Sequence, residues 1–506
     1  MPRKSTETPK KTAPAKKIAT VKKASPSRKA KPLKVLLLST EVNPYSKSGG
    51  LGDVAGSLPK ALREVGVDVR IIMPLHKSVP RELIADAKEI VSFTVQLSWR
   101  SQTATVLSLN DTIYFIKNDY YFNRDNFYGE HDDHERFAFF SKAAVEMLMT
   151  IDFPADILHC NDWHTALSAT YLRDIYRQFA YYAKTKSLVT IHNLNYQGVF
   201  GREILWDISL NDGYFTNGDM ELHGNISYLK AGLVHADALS TVSKTYAKEI
   251  QTPEYGYGLD GLLQKRGTED GKLWGITNGI DVAENNPEID PCVYVNFNAD
   301  SLDKKRENKH KLQEELGLPV GDMPMFSMIT RLAEQKGFDI LAVIMDELMR
   351  MDIQLVVLGT GDARYEDMLR HYAWCNPQKV SANIRFNATL AQRIYAGSDM
   401  FLMPSVYEPC GLGQLFAMRY GTIPIVRKTG GLADTVQHFN EKTGKGNGFL
   451  FEDYVASGLM WAIKEALKVY GTPGWEAVVR NAMSGDYSWN KAAGEYVKMY
   501  KKILKS

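Results

Sequence analysis

Arg331 and Lys336 stand five residues apart, directly after the apolar run Met325–Ile329. Lys47 heads a glycine-rich stretch, Lys47-Ser48-Gly49-Gly50-Leu51-Gly52-Asp53-Val54, which follows another apolar run at 35–38. Cations fixed beside a helix N-terminus and its unpaired N–H groups make a seat for a phosphate. A second stretch, Thr429-Gly430-Gly431-Leu432-Ala433-Asp434, repeats the spelling after the run 423–426. One such turn often only makes room for close backbone packing. Two of them, in opposite halves of the chain, point to two similar lobes that both present amides to a ligand.

Four further polar clusters stand at the ends of apolar runs. Asn161-Asp162-Trp163-His164 follows 157–159, His192-Asn193 follows 188–191, and Asn278-Gly279-Ile280-Asp281 follows 275–277. Glu408-Pro409-Cys410-Gly411-Leu412 follows Met400–Met403 and opens a helical pattern. Each alone reads equally as a cap, a turn or a surface ion pair. Together with Arg331 they occupy five strand ends, where an open α/β sheet presents its ligand site.

What is missing narrows the chemistry. No Asp-x-Asp spacing occurs anywhere in the chain. A diphosphate leaving group would then be neutralised by Arg, Lys and backbone dipoles, with no metal. No Gly-x4-Gly-Lys-Ser/Thr loop occurs, which argues against an ATPase. Gly359-Thr360-Gly361-Asp362 lacks the third glycine of a dinucleotide fingerprint. The loop holding Tyr128, His131 and His134 has no i,i+4 histidine pair and no thiol, so it reads as a surface loop.

These groups need a scaffold, and the hydrophobic pattern supplies an α/β one. Candidate strands fall at 35–38, 69–73, 90–97, 105–109, 113–116, 157–159, 188–191 and 238–242, with helical patterns near 57–66, 137–150, 164–184 and 225–235. A second series has strands at 275–277, 325–329, 354–358, 384–386, 400–403 and 422–426. Its helices fall at 303–316, 337–351, 362–373, 390–396, 411–420 and 455–469. We therefore expect a basic tail at 1–33, a first Rossmann-like domain at 34–272 and a second at 273–487, with the hinge at 265–272. Residues 488–506 keep helical spacing through Trp489, Ala493, Tyr496 and Tyr500, and such a helix needs a groove to lie in.

Composition agrees with two globular domains: 506 residues, 44% hydrophobic and 24% charged, with no apolar run near the roughly 18 residues of a membrane helix. Cys160, Cys292, Cys375 and Cys410 have no metal or framework spacing, which fits a reducing compartment. Residues 1–32 hold nine lysines and two arginines against Glu7, a balance of +10, so with a whole-chain charge of +2 the remainder sums to −8. The basic character belongs to the tail. It reads as disordered and solvated, with a nucleic-acid or other polyanion contact second and an organelle transit peptide third.

At these motifs the chain resembles the bacterial glycogen synthases and plastid starch synthases, glycosyltransferase family 5 with the GT-B fold. The likeness covers residues 34–505, and only the tail has no counterpart. It implies two doubly wound Rossmann-like domains facing a deep cleft, with the C-terminal helix crossing back to the first. It implies transfer of glucose from ADP-glucose to the non-reducing end of an α-1,4-glucan, with retention and release of ADP, without a cofactor or metal. By resemblance, Arg331 and Lys336 hold the diphosphate and Lys47 binds the donor. Gly49, Gly50, Gly430 and Gly431, with Thr429 at the head of the second turn, contact phosphates and sugar. His192 and Asn278 orient the glucose, and Glu408 with Cys410, Gly411 and Leu412 forms the sugar-contacting segment. Asp162 and Trp163 lie on the acceptor side. Ser48 stands where many members carry Thr, and Phe386 where some bacterial members carry Tyr. The resemblance implies a cytoplasmic bacterial enzyme, or a plastid one if 1–33 is a transit peptide. Rival readings are a GT-B enzyme using UDP-glucose and a sugar- or polyanion-binding protein.

Overall fold

Short Val-, Ile- and Leu-rich runs alternating with amphipathic helices can bury both faces of a strand only in a sheet covered on both sides. The computed structural model, which describes residues 1–2 and 31–505, contains two such sheets. The first lobe supplies β1 (Lys34–Leu38), β2 (Asp68–Pro74), β3 (Lys88–Leu97), β4 (Arg100–Leu109), β5 (Ile113–Lys117), β6 (Ile157–Asn161) and β7 (Lys186–Ile191). Three short strands follow, β8 (Val199–Phe200), β9 (Glu221–Leu222) and β10 (Asn225–Ser227), which form a small antiparallel sheet of their own. The main sheet resumes with β11 (Ala238–Thr241) and β12 (Leu273–Gly275), in the order β12-β11-β7-β6-β1-β2-β5-β4-β3.

From β12 to β5 the pairings are parallel, but β4 runs antiparallel to both β3 and β5. The reason is local. Residues 88–97 alternate between exposed and covered positions, so this edge keeps one face in solvent.

The second lobe holds β13 (Met325–Ile329), β14 (Gln354–Leu358), β15 (Val380–Asn383), β16 (Met400–Met403), β17 (Ile423–Arg427) and β18 (Phe449–Phe451). They pair in parallel in the order β15-β14-β13-β16-β17-β18. Two strand expectations are corrected. The strand expected at 384–386 lies at Val380–Asn383, in register with Leu355–Leu358, while Phe386 is 91% exposed beyond it. The strand expected to open the second lobe at 275–277 is Leu273–Gly275, and it pairs with β11 of the first sheet.

The hinge expected at 265–272 is correspondingly misplaced. Residues Lys265–Glu269 form a helical turn anchored by the Arg266 guanidinium, which donates to the carbonyls of Val234 (3.2 Å) and Ala236 (2.6 Å). The chain crosses between sheets further on, at 278–281. There Ile280 N–H donates to Tyr487 O at 2.8 Å, and a side chain at Gly279 would meet the Ser488 backbone at 2.6 Å. The outgoing and returning segments thus touch at one crossing.

The terminal helix, Trp489–Ile503, lies on the first lobe, as its apolar stripe requires. Trp489, Ala493, Tyr496, Tyr500 and Ile503 share a core with Val35, Leu37, Val54, Leu58 and Leu62. His159, fully buried at the middle of β6, ties the helix down through Tyr500 Oη (2.8 Å) on one ring nitrogen and Thr190 Oγ1 (2.6 Å) on the other. The readings made of the basic tail rest on residues 3–30, which lie outside the described residues. No helix among the described residues is long and apolar enough to cross a membrane.

Candidate active site

The first glycine turn leaves β1 and becomes the helix Gly50–Glu64. Its amides are not bare, because Glu41, three residues beyond β1, folds over them. The Glu41 carboxylate accepts from Ser48 N–H, from Ser48 Oγ (2.7 Å) and from Gly49 N–H (3.1 Å), and also from Tyr128 Oη (2.8 Å). A carboxylate of the chain therefore sits where an anion was expected. Gly50 N–H has no acceptor among the described residues. Gly50 also faces the opposite lobe: a Cβ there would lie 3.8 Å from Leu412 Cδ1. Lys47, half exposed, pairs with Asp53 one helical turn on, at 2.7 Å.

The second turn is fully occupied. Gly430 N–H donates to both oxygens of Glu249 (3.0 and 3.1 Å), and Thr429 Oγ1 to the same carboxylate at 3.0 Å. Gly431 N–H goes to Glu408 O and Pro409 O (3.1 and 3.2 Å), and Leu432 N–H to Thr429 O. The glycines are here for closeness: a Cβ at Gly430 would sit 1.9 Å from Glu408 O, and one at Gly431 2.0 Å from Cys410 O. Gly430 also has φ +44, which disfavours any side chain. The expectation that both turns offer free amides is thus corrected for the second one.

Glu249 ends the first-lobe helix Lys244–Glu249, and its contact with the second turn is reciprocated. Asp434, in the helix Gly430–Thr435, accepts from Lys244 N–H (2.6 Å), Thr245 N–H (3.1 Å) and Thr245 Oγ1 (2.6 Å). Each helix start is capped by an acid from the other lobe, where dipole and unpaired N–H groups both favour a carboxylate. Burial raises the Glu249 pKa, and the N–H and hydroxyl donors of the turn oppose that shift.

The cations are arranged differently from each other. Arg331, just past β13, is exposed, and its guanidinium has no hydrogen-bond or ion-pair partner among the described residues. Lys336 is mostly covered and donates to Glu408 Oε2 at 2.7 Å, while Ser405 Oγ donates to the same oxygen at 3.1 Å. The 408–412 segment thus joins the lysine to the sugar-side residues proposed from sequence. Asn278 is 7% exposed, and its Oδ1 is buried with no partner, an acceptor left open. Burial pushes the Cys410 thiol up to about 12, so it is a packing group and no nucleophile. Gly411, at φ +73, bends the segment so that the Gln414 amide caps its carbonyl at 2.9 Å.

Asp162 and His192 meet at the ends of β6 and β7. The Asp162 carboxylate accepts from His192 N–H at 2.7 Å, and its backbone is held at φ +56, a strained conformation for a non-glycine residue. Burial pushes its pKa up to about 7, against the backbone donors of His192 and Asn193, with the Glu41 charge adding to the rise. The His192 ring contacts Asn161 Oδ1 through Nε2 at 2.8 Å, while Asn161 Nδ2 donates to Leu38 O at 2.9 Å. That second bond fixes the amide, so Oδ1 must accept and Nε2 must carry the proton. Burial holds the His192 pKa down to about 4, so the ring is neutral at pH 7. Trp163 is 8% exposed and packs edge-on to Phe137, with Gly198 so close that a Cβ there would meet the indole at 2.3 Å. It is largely packed into the first-lobe core.

Among the described residues no cluster of three or more His, Cys, Asp or Glu side chains could hold a metal ion. The site brings together the Arg331 and Lys336 cations, the Gly50 amide, the unpaired Asn278 amide oxygen and the neutral His192 imidazole, at strand ends of the two sheets.

Comparison with known proteins decides the family. Residues 34–265 match the model described as starch synthase catalytic domain, and 309–473 the one described as glycosyl transferases group 1. The chain is 49% identical to a glycogen synthase of Clostridium novyi over 93% of this chain and 99% of that one. It is also 49% identical to a glycogen synthase of Clostridioides difficile, over 93% of this chain and all of that one. The chain belongs to the glycogen and starch synthase family of glycosyltransferases. Among solved structures it resembles the catalytic domain of starch synthase IV from Arabidopsis thaliana, at TM-score 0.86 and 32% identity over 94% of this chain and 100% of that one. A sucrose-phosphate synthase from Thermosynechococcus elongatus, at TM-score 0.58 and 17% identity over 94% of this chain and 99% of that one, shares the fold. The protein is a glucosyltransferase of GT-B architecture.

In this synthase the sequence singled out the cations, the glutamate segment, Asp162, His192 and Asn278, each of which stands beyond a strand C-terminus. It missed Glu41 and Glu249, and it quoted Asn161 and Asp434 within their motifs without giving either a role of its own. Glu41 carried a usable signal, because it follows the end of the buried strand β1, and Asn161 is the last residue of the buried strand β6. Glu249 and Asp434 carried none, since their partners lie 180 and more residues away.

Proposed function

We propose that this synthase transfers glucose from ADP-glucose to the non-reducing end of an α-1,4-glucan, with retention of anomeric configuration and release of ADP, without a metal ion. The observation that carries this reading is the pair at the end of β13: an exposed guanidinium with no internal partner, beside an ammonium already oriented by Glu408. A cation without a counter-charge is available to an anion, one already oriented by a carboxylate adds charge at a defined place, and a diphosphate departing from C1 of the sugar is such an anion. The Arabidopsis relative was solved bound to ADP and acarbose, which supports a nucleoside diphosphate and a glucan at the corresponding cleft. The curated relatives are bacterial, which supports the cytoplasm over the plastid.

In this mechanism the C1–O bond to the β-phosphate breaks as positive charge grows on the sugar. Arg331 and Lys336 take up the charge arriving on the diphosphate, with Lys47 at the rim of the first turn. His192 contributes no charge, because its ring is neutral at working pH. Its main-chain carbonyl can then stabilise the oxocarbenium-like centre without an adjacent cation opposing it. Glu408 is engaged by Lys336 and Ser405 and is not free to attack C1. The acceptor O4 therefore approaches on the face the phosphate leaves: O4 bonds to C1, and its proton passes to a diphosphate oxygen. Asn278 Oδ1 and the 410–412 segment offer acceptor and donor groups to the sugar hydroxyls.

The test is turnover of ADP-glucose and UDP-glucose on glycogen, each with and without EDTA. ADP-glucose is expected to be preferred and EDTA to be without effect. Preference for UDP-glucose would replace the donor assignment, and loss of activity in EDTA would overturn the metal-free mechanism.

A further inference from the structure

Away from the cations, the described residues form a groove of about 740 Å³ along the β18 edge of the second lobe. It lies between the end of the helix Gly430–Thr435 and the helix Ala456–Val469, and none of Arg331, Lys336, Glu408 or Asn278 lines it. Its floor is aromatic. Trp461 is 48% exposed, and the His438 imidazole lies nearly parallel to it, 16° between planes and 5.7 Å between centroids. Leu450 N–H donates to His438 Nδ1 at 3.1 Å, so the neutral ring carries its proton on Nε2, a donor with no partner among the described residues. The rim holds Gln437, Asp453 and Ser457, whose side chains also have no partner among the described residues.

An exposed indole costs solvation unless something flat and apolar covers it, and uncommitted amide, carboxylate, hydroxyl and imidazole groups ask for a ligand rich in hydroxyls. A pyranose ring has both properties: axial C–H bonds make an apolar face, and the hydroxyls project around the edge. Rim charge points the same way. Lys428 is already paired with Glu452 at 2.6 Å, which leaves Asp453 as the unpaired charge, unsuited to a phosphate.

We propose that this groove is a second binding site for the α-1,4-glucan, separate from the cleft, with Trp461 as its platform. The inference rests on the acceptor assigned above. A polymer held at a second point returns its ends to the cleft at raised local concentration, whereas an oligosaccharide too short to reach both points gains nothing.

The experiment compares wild-type enzyme with Trp461→Ala and Trp461→Phe on glycogen and on maltotriose, together with retardation in native gels containing glycogen. W461A is expected to raise KM for glycogen about five- to tenfold and to reduce retardation, with KM and kcat for maltotriose unchanged. W461F, which keeps a flat ring, is expected to stay within about twofold of wild type. Unchanged glycogen KM and retardation in W461A, or an equal effect on maltotriose, would overturn the second site. Competition of retardation by adenosine alone would reassign the groove to a nucleobase. A wild-type enzyme that elongates neither acceptor refutes the function proposed above, and gel retardation then still decides the groove by itself.

Discussion

Replacing Arg331 and Lys336 by alanine one at a time separates two quantities that a simple loss of activity would confuse. Arg331 is exposed and unpartnered, so its truncation strands no internal charge, and the folded state should lose no more than about 0.5 kcal/mol. Lys336 is different. Its ammonium is the only cation paired with the Glu408 side chain among the described residues, and that side chain is 9% exposed. Without Lys336 the carboxylate keeps only the Ser405 hydroxyl, 3.1 Å away. A nearly buried acid left with one neutral donor costs about 3 kcal/mol. Both variants should still lose about 10²–10³ in kcat, the usual cost of removing one preorganised charge partner at a developing anion. The assays are ADP release with glycogen as acceptor and the urea midpoint of each variant. Glycogen elongation within tenfold of wild type in either variant refutes the assignment of the diphosphate seat. A midpoint shift in Arg331→Ala as large as that in Lys336→Ala refutes the account of why the two cations differ.

Two further outcomes follow from the site. Glu249→Ala leaves the buried Gly430 N–H and Thr429 hydroxyl without their acceptor, so the variant should lose about 1–3 kcal/mol, with Glu249→Gln recovering most of it; equal midpoints for wild type and both variants would show that this contact between the lobes contributes nothing. Burial pushes the Asp162 pKa up to about 7 in the folded state, above the ordinary aspartate value of 3.8, so between about pH 4 and pH 7 the native state holds a proton that the unfolded chain releases. Stability should therefore fall as pH rises through that window, and Asp162→Asn should flatten the slope; urea unfolding at pH 5 and pH 7 giving the same slope for both proteins would contradict the burial argument.

The fold was legible where hydrophobic period and local chemistry agree. The strands at 325–329, 354–358 and 400–403 fall where the apolar runs put them, and the terminal helix lies on the first lobe because Trp489, Tyr496 and Tyr500 share one face. Ile384-Arg385-Phe386 misled because an apolar pair around a charge imitates a strand, while the register with β14 is set by Val380. The lobe boundary misled for a related reason: Leu273–Gly275 is as apolar as an opening strand, and only pairing with β11 assigns it to the first sheet. In the site, residue types and strand-end positions identified the cations and the imidazole. What no local pattern reveals is which groups already have partners.

That last point changes what the glycine turns mean. Read alone, Gly49-Gly50 and Gly430-Gly431 are equivalent anion seats. In the folded protein the second has its amides engaged, Gly431 by two carbonyls of the 408–410 segment and Gly430 by Glu249, and a Cβ at either glycine would collide with that segment. The second turn therefore packs against the backbone of the segment whose Glu408 side chain holds Lys336. At the first turn the Gly50 amide stays open among the described residues, facing Leu412 of that same segment. A repeated sequence has thus taken two structural forms, one with its first amides held by Glu41 and one packed against the 408–410 backbone. On the function proposed above, the charge that a leaving diphosphate needs must then come chiefly from side chains, and Arg331 is the cation there whose guanidinium has no competing partner among the described residues.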